Sequence, residues 1–129
     1  MKRLFLSFKV EDKKRVDGLR LLAANPKFSI EFYDESVRVP IESSNSDYIK
    51  RKIQEKISRA GVVLCLLSED THTSNWVNWE LEHSFKTGKK VLCMSFPNGP
   101  ELLTLPPAAV KNGIGWYRWD LEWLERQLA

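Results

Sequence analysis

At 129 residues, 43% of them hydrophobic and 29% charged, the chain has the size and composition of one globular domain with a real core. A formal net charge of +3 is too small for a nucleic-acid footprint, and Lys13-Lys14-Arg15 and Lys50-Arg51-Lys52 fall on polar helix faces among acidic residues, not in one stripe. No apolar run approaches the roughly 20 residues of a membrane span. The apolar stretch after Met1-Lys2-Arg3 is also too short for a signal peptide, so the expectation is a cytoplasmic protein with no membrane or nucleic-acid partner.

In chain order, Arg3 to Phe8 reads as a strand and Glu11 to Ala24 as a helix with Val16, Leu19 and Leu22 inward, stopped by Asn25-Pro26. Phe28 to Tyr33 reads as a second strand, followed by a polar loop from Asp34 to about Ser46. The helix from about Asp47 to Arg59 carries Ile49, Ile53 and Ile57 at i, i+4, i+8, one apolar stripe. Val62 to Leu67 is apolar on both alternating faces, as a central parallel strand covered by helices should be. The loop Ser68 to Thr73, a helix from about Asn75 to Thr87 and a stop at Gly88 come next. Lys90 to Ser95 reads as a fourth strand, Phe96 to Pro107 as a Pro-rich loop, Ile114 to Trp116 as a short last strand and Asp120 to Leu128 as a closing amphipathic helix.

Strict alternation of strand and helix implies a parallel sheet with right-handed crossovers. The expected architecture is one flavodoxin-like α/β domain over residues 1–129, with five strands in the order 2-1-3-4-5 and helices on both faces. In such sheets ligands bind beyond the strand ends where the order reverses, here between strands 1 and 3. That places Ser7, Phe8 and Lys9 on one lip and the segment leading to Glu80 on the other.

On the helix that follows strand 3, a step of about 100° per residue puts Val77, Leu81 and Phe85 on the core face and Glu80 at its border, under Trp76 and away from Asn78 and Glu82. A half-buried carboxylate beside an indole has its pKa raised by desolvation unless a donor or cation offsets the effect. From pattern alone, Glu80 either performs chemistry or belongs to a solvated helix border. Other constellations fare worse. Cys65 and Cys93 sit in strand interiors and read as buried free thiols; with His72 and His83 they lack zinc-ligand spacing, so no metal is expected. Gly113-Ile114-Gly115 starts like a dinucleotide fingerprint, but Arg118 breaks it and no helix opens there; a P-loop is absent. Ser7 has no His-Asp partnership. Trp116, Tyr117, Trp119 and Trp123 read as packing beside Leu121 and Leu124, not as a stacking platform.

Several stretches together resemble a TIR domain, most of all the TIR-like branch of bacterial Thoeris antiphage systems. Leu4-Phe5-Leu6-Ser7-Phe8 is similar to the first-strand box. Glu31-Phe32-Tyr33-Asp34 followed by Pro40 resembles the second strand and the BB loop. Ile53, Ile57, Ser58 and the run Val62 to Ser68 resemble the second helix and third strand. Ser74-Asn75-Trp76-Val77-Asn78-Trp79-Glu80 resembles the Ser-x-Trp-x-x-x-Glu element that supplies the catalytic glutamate of NAD-cleaving TIR enzymes. Two features depart from the pattern: Val39-Pro40-Ile41 stands where many TIR domains have Pro-Gly, and Gly115-Trp116-Tyr117 stands for the late Phe-Trp box.

The resemblance implies an enzyme of the NAD nucleosidase or ADP-ribosyl cyclase type, with NAD as substrate and no cofactor. Glu80 would be catalytic and Trp76 its wall, with Ser7, Phe8 and Lys9 along the opposing lip. Asp34 and Ser36 would stand at the base of the BB loop, contacting substrate or serving as turn formers. It further implies a phage-derived trigger and a diffusible ADP-ribose-derived signal, cyclic or linear, read by a separate effector protein. The alternative is a non-catalytic module that self-associates through the BB loop and helix surfaces.

Overall fold

The computed structural model of the chain describes residues 2–27, 30–33 and 43–128. Among these, four strands form one parallel sheet: β1 (Lys2–Ser7), β2 (Ile30–Tyr33), β3 (Val62–Leu67) and β4 (Lys90–Ser95), in the order β2-β1-β3-β4. The helices between and after them are α1 (Lys13–Ala23), α2 (Ser46–Arg59), α3 (Asn75–Lys86), α4 (Pro107–Lys111) and α5 (Leu121–Gln127), with single 3-10 turns at Val10–Asp12 and Thr71–Thr73. Phe28 and Ser29, at the start of the expected second strand, lie outside the described residues, as does the part of the expected Asp34–Ser46 loop up to Glu42.

Alternation along each strand divides the core into two layers. Leu4, Leu6, Phe8, Leu64, Leu66 and Met94 face α1 and α5, where Val16, Leu19, Ala23, Leu124 and Leu128 meet them. Phe5, Val63, Cys65, Leu67 and Cys93 face α2, α3 and α4, where Ile49, Ile53, Ile57, Val77, Leu81 and Ala109 close over them. β3 is buried at every position, as its two-sided apolar pattern requires. The stripe on α1 is Val16-Leu19-Ala23; Leu22, expected inward, is 53% exposed because the i, i+3, i+7 track passes it by.

The expected fifth strand does not form. Among the described residues, Tyr117 alone bridges β4, donating its N–H to the Cys93 carbonyl at 2.9 Å and accepting from the Ser95 N–H at 2.9 Å. The reason is room. Gly113, at φ +71°, closes the end of α4, and Asp120 already caps α5 by accepting from the Trp123 N–H, so the short connection between them turns before a ladder can propagate. α4 was also not foreseen: Pro107 opens it at a position where the missing N–H is no loss. Trp119 and Trp123 pack against one core layer and Trp116 against the other, as expected, whereas Tyr117 is 51% exposed and lies against the Trp123 ring at 4.5 Å.

Ile53 is wholly buried between α2 and the sheet. Ile53→Ala is expected to lower unfolding free energy by about 2–5 kcal/mol, read as a lower urea midpoint with an unchanged far-ultraviolet circular dichroism spectrum.

Candidate active site

α3 carries the candidate carboxylate, and both of its ends are fixed by its sequence. Ser74, in extended conformation, accepts from the Val77 N–H at 3.2 Å and starts the helix. At the other end Lys89 N–H reaches the Ser84 carbonyl and Gly88 N–H the Phe85 carbonyl, a left-handed closure that Gly88 permits at φ +76°. Between these limits the buried stripe is Val77, Glu80, Leu81 and Ser84, with Phe85 only partly covered. Glu80 is therefore not a half-buried border residue: it is 0% exposed and faces the sheet. Ser84 makes this possible, being small and turning its hydroxyl back onto the Glu80 carbonyl at 2.7 Å.

Ser7, the last residue of β1, donates its hydroxyl to Glu80 Oε1 at 2.7 Å, and Ser7 too is 0% exposed. In register, Ser7 lies beside Cys65 and Cys65 beside Cys93, a row of small side chains beneath the carboxylate. Both thiols are free and buried. The Cys65 thiol is pushed well above its ordinary pKa by its hydrogen bond with Cys93, then by burial, with the Glu80 charge adding in the same direction. Trp76 lies one helical turn before Glu80 and meets Trp79 edge to face at 5.9 Å, while Trp79 stacks on His83 at 5.7 Å and lies under the Lys50 ammonium at 5.6 Å.

Alternation separates Phe8 from this centre, and Lys9, past the end of β1, lies on Phe8's side. Phe8 is buried in the opposite core layer with Val16 and Leu19. Lys9 is at the mouth of a cleft of about 880 Å³ on the α1 side, whose lining includes Arg15, Gly18, Leu67, Phe96 and Gly99, and not Glu80. Asp34 and Ser36 lie outside the described residues. So the structure brings Ser7 to Glu80, sets Trp76 on the same helix, and puts Phe8 and Lys9 across the sheet.

Sequence reasoning missed a polar clamp that joins the β1–α1 and β3–α3 connections. Lys9 Nζ donates to Asp70 Oδ1 at 2.5 Å; Ser68 donates its hydroxyl to Asp12 Oδ2 at 2.6 Å and its N–H to Thr71 Oγ1 at 2.7 Å. The Lys9 bond holds Asp70 below its usual carboxylate pKa, and Asp70 in turn raises Lys9. Asn78, expected to face solvent, instead accepts from the Ala108 N–H at 2.8 Å and so caps α4. Apart from the Ser68–Thr71 turn, neither feature has a local signal, because Lys9 and Asp70, Asp12 and Ser68, and Asn78 and Ala108 are distant in sequence. Among the described residues, no group of three His, Cys, Asp or Glu side chains is disposed to hold a metal ion, and no helix is long and apolar enough to cross a membrane.

A parallel α/β sheet in the order 2-1-3-4, with a glutamate on the helix after the third strand turned toward the end of the first, makes this a flavodoxin-like α/β domain with a polar centre at its switch point. The chain belongs to the family of the Thoeris protein ThsB, TIR-like domain, whose pattern its residues 5–100 match. Two solved structures share the fold. One is the 2-desoxiribosyltransferase from Leishmania mexicana, at TM-score 0.56 and 13% identity over 74% of this chain. The other is the TIR domains of the activated Roq1 resistosome directly recognizing the pathogen effector XopQ, at TM-score 0.52 and 17% identity over 89%. The chain spans 65% of the length of each of these. No curated protein matches it.

Two outcomes test this geometry. Ser7→Ala removes a buried donor and is expected to lower stability by about 1–3 kcal/mol, measured by urea denaturation. Asp70 has a folded pKa below its ordinary 3.8, so its contribution is full above pH 3.8 and is lost as pH falls through the lower, folded value. Lys9, raised above 10.5, contributes fully below pH 10.5 and less as pH climbs through its folded value. Asp70→Asn should accordingly lower the melting temperature modestly between those limits, with the gap from wild type closing at strongly acidic pH and shrinking in high salt.

Proposed function

We propose that the chain is an NAD-processing enzyme of antiviral defence that breaks the bond between nicotinamide and ribose, with Glu80 as its catalytic residue. The observation that carries this is the pairing of Glu80 with Ser7 at the end of β1, at the switch point of a Thoeris TIR-like domain.

One carboxylate suffices for such chemistry. The C1′–N bond breaks with its electron pair passing to the pyridinium nitrogen, so nicotinamide leaves neutral and needs no general acid. The ribose left behind has oxocarbenium character, as in glycoside hydrolysis. A fixed negative charge nearby stabilises it, and the same carboxylate receives a ribose hydroxyl. Attack by water at C1′ gives ADP-ribose and a proton; attack by a nucleophile within the same nucleotide gives a cyclic product. Either product is a diffusible signal for a separate effector, released when infection supplies a trigger. Trp76 serves as wall, and Asp34 and Ser36 contribute contacts to the substrate, with no cofactor taking part.

A second reading is favoured by one specific observation: Glu80 has no exposed surface, and Ser7 occupies one of its oxygens. A carboxylate in that state has a structural role complete in itself, and the domain then acts by assembling with like domains. Under the enzymatic reading the same contact has to open before a sugar reaches Oε1.

The two separate on one measurement. Lysates of phage-infected cells expressing the chain are expected to release nicotinamide from NAD and to accumulate an ADP-ribose-derived nucleotide identifiable by mass, with Glu80→Gln slower by about 100-fold or more. Equal release by both proteins, or protection from phage by Glu80→Gln without any nucleotide made, would favour the assembly reading.

A further inference from the structure

Gly18 occupies the middle of α1, where glycine costs roughly 1 kcal/mol relative to alanine. Such a glycine is usually explained by a close approach of backbone, and here there is none: a Cβ at position 18 would meet no atom within 4 Å. What the missing side chain does is leave open the wall of the 880 Å³ cleft that Gly18 lines.

The cleft lies beyond the carboxyl ends of β1, β3 and β4, on the face of the sheet opposite Glu80. Its floor is apolar: Leu19 and Phe96 are nearly inaccessible, and Leu22 adds an apolar side chain that is 53% exposed; Leu67, whose side chain packs in the other layer, lines it only from the end of β3. The Arg15 guanidinium carbon lies 5.5 Å from the centroid of the Phe96 ring, with the Arg15 side chain 62% exposed, so a flat cation is held over an aromatic platform. The far wall is a tight turn. Asn98 takes φ +60°, Pro97 and Pro100 flank it, and a Cβ on Gly99 would come within 3.1 Å of the Phe96 carbonyl oxygen. The acidic side of the rim is equally well placed: Asp12, 7% exposed, takes the Ser68 hydroxyl on one oxygen and lies 3.8 Å from Arg15 with the other.

We propose that this cleft is a second binding site, for a nucleoside. Its size is that of a small-molecule pocket. An apolar floor beside a guanidinium plane suits a heterocyclic base, and a rim of carboxylates suits the hydroxyls of a ribose. Lining carboxylates at Asp12, Glu69 and Asp70 outnumber the cations Lys9 and Arg15, which disfavours a phosphorylated ligand. The Lys9–Asp70 pair spans the mouth, and at 57% exposure the Asp70 side chain exchanges partners at little cost. The site is independent of NAD cleavage at Glu80.

The test is calorimetric titration of adenosine into the wild-type chain, with AMP and inorganic phosphate as comparison probes. Adenosine is expected to bind saturably, AMP more weakly and phosphate not at all. Gly18→Leu, which fills the cleft from a helix position that gains in propensity, should weaken adenosine by at least about tenfold without lowering the melting temperature. Arg15→Ala should weaken it as well, and Glu80→Gln should leave it unchanged. Failure of adenosine to bind at millimolar concentration overturns the proposal, as does wild-type affinity in Gly18→Leu. Phosphate binding as tightly as adenosine would mark an unselective anion site, and loss of adenosine binding in Glu80→Gln would move the ligand to the other face; each also overturns it. Nicotinamide release is read separately, so the two assignments fail independently.

Discussion

The hydrogen bond from Ser7 to Glu80 ties the first strand to the third helix across 73 residues of sequence, and both groups are removed from water. A carboxylate in such a place is tolerated only when donors answer it, because an unanswered one loses its hydration for nothing. The local sequence is arranged around that demand. Ser7 ends its strand so that its hydroxyl reaches the helix layer. Ser84 keeps the next turn of α3 narrow, and the cap at Ser74 fixes where the helix begins, hence which residues face inward.

The same alternation that aims Ser7 at α3 aims Phe8 at α1, and this splits the carboxyl end of the sheet into two chemically different halves. One half is closed, with a buried carboxylate above a row of serine and thiol side chains. The other is open, with charged pairs and an apolar floor. The pleat sends Phe8 away from Ser7, and Lys9 lies past the end of β1, where the chain has already turned toward α1.

How much of this was legible follows from the range of each signal. Strand and helix alternation, the apolar run Val62 to Leu67 and the stripe Ile49-Ile53-Ile57 are local patterns, and each returned the element expected of it. The fifth strand failed because a β run is recognised by composition, whereas ladder formation needs length, and Gly113 and Asp120 consume the residues available. Glu80 stands out in the sequence by its place after strand 3, but its full burial depends on Ser7 and Ser84, and a helical wheel shows only one of these. The clamp of Lys9, Asp12, Ser68 and Asp70 is assembled from loops far apart in the chain, so no window of sequence contains it. Gly18 was visible as a helix breaker inside a helix, yet its meaning required knowing that nothing stood beside it.

The paired cysteines have a consequence for anyone handling the protein. Cys65 and Cys93 lie side by side on the two central-to-edge strands, have no accessible surface, and Cys65 is further deterred from ionising by its neighbour. Alkylating reagents meet a thiolate only after the layer of α2, α3 and α4 has lifted from the sheet. The labelling rate of these two sulfurs thus becomes an intrinsic clock for opening of that layer, needing no engineered probe.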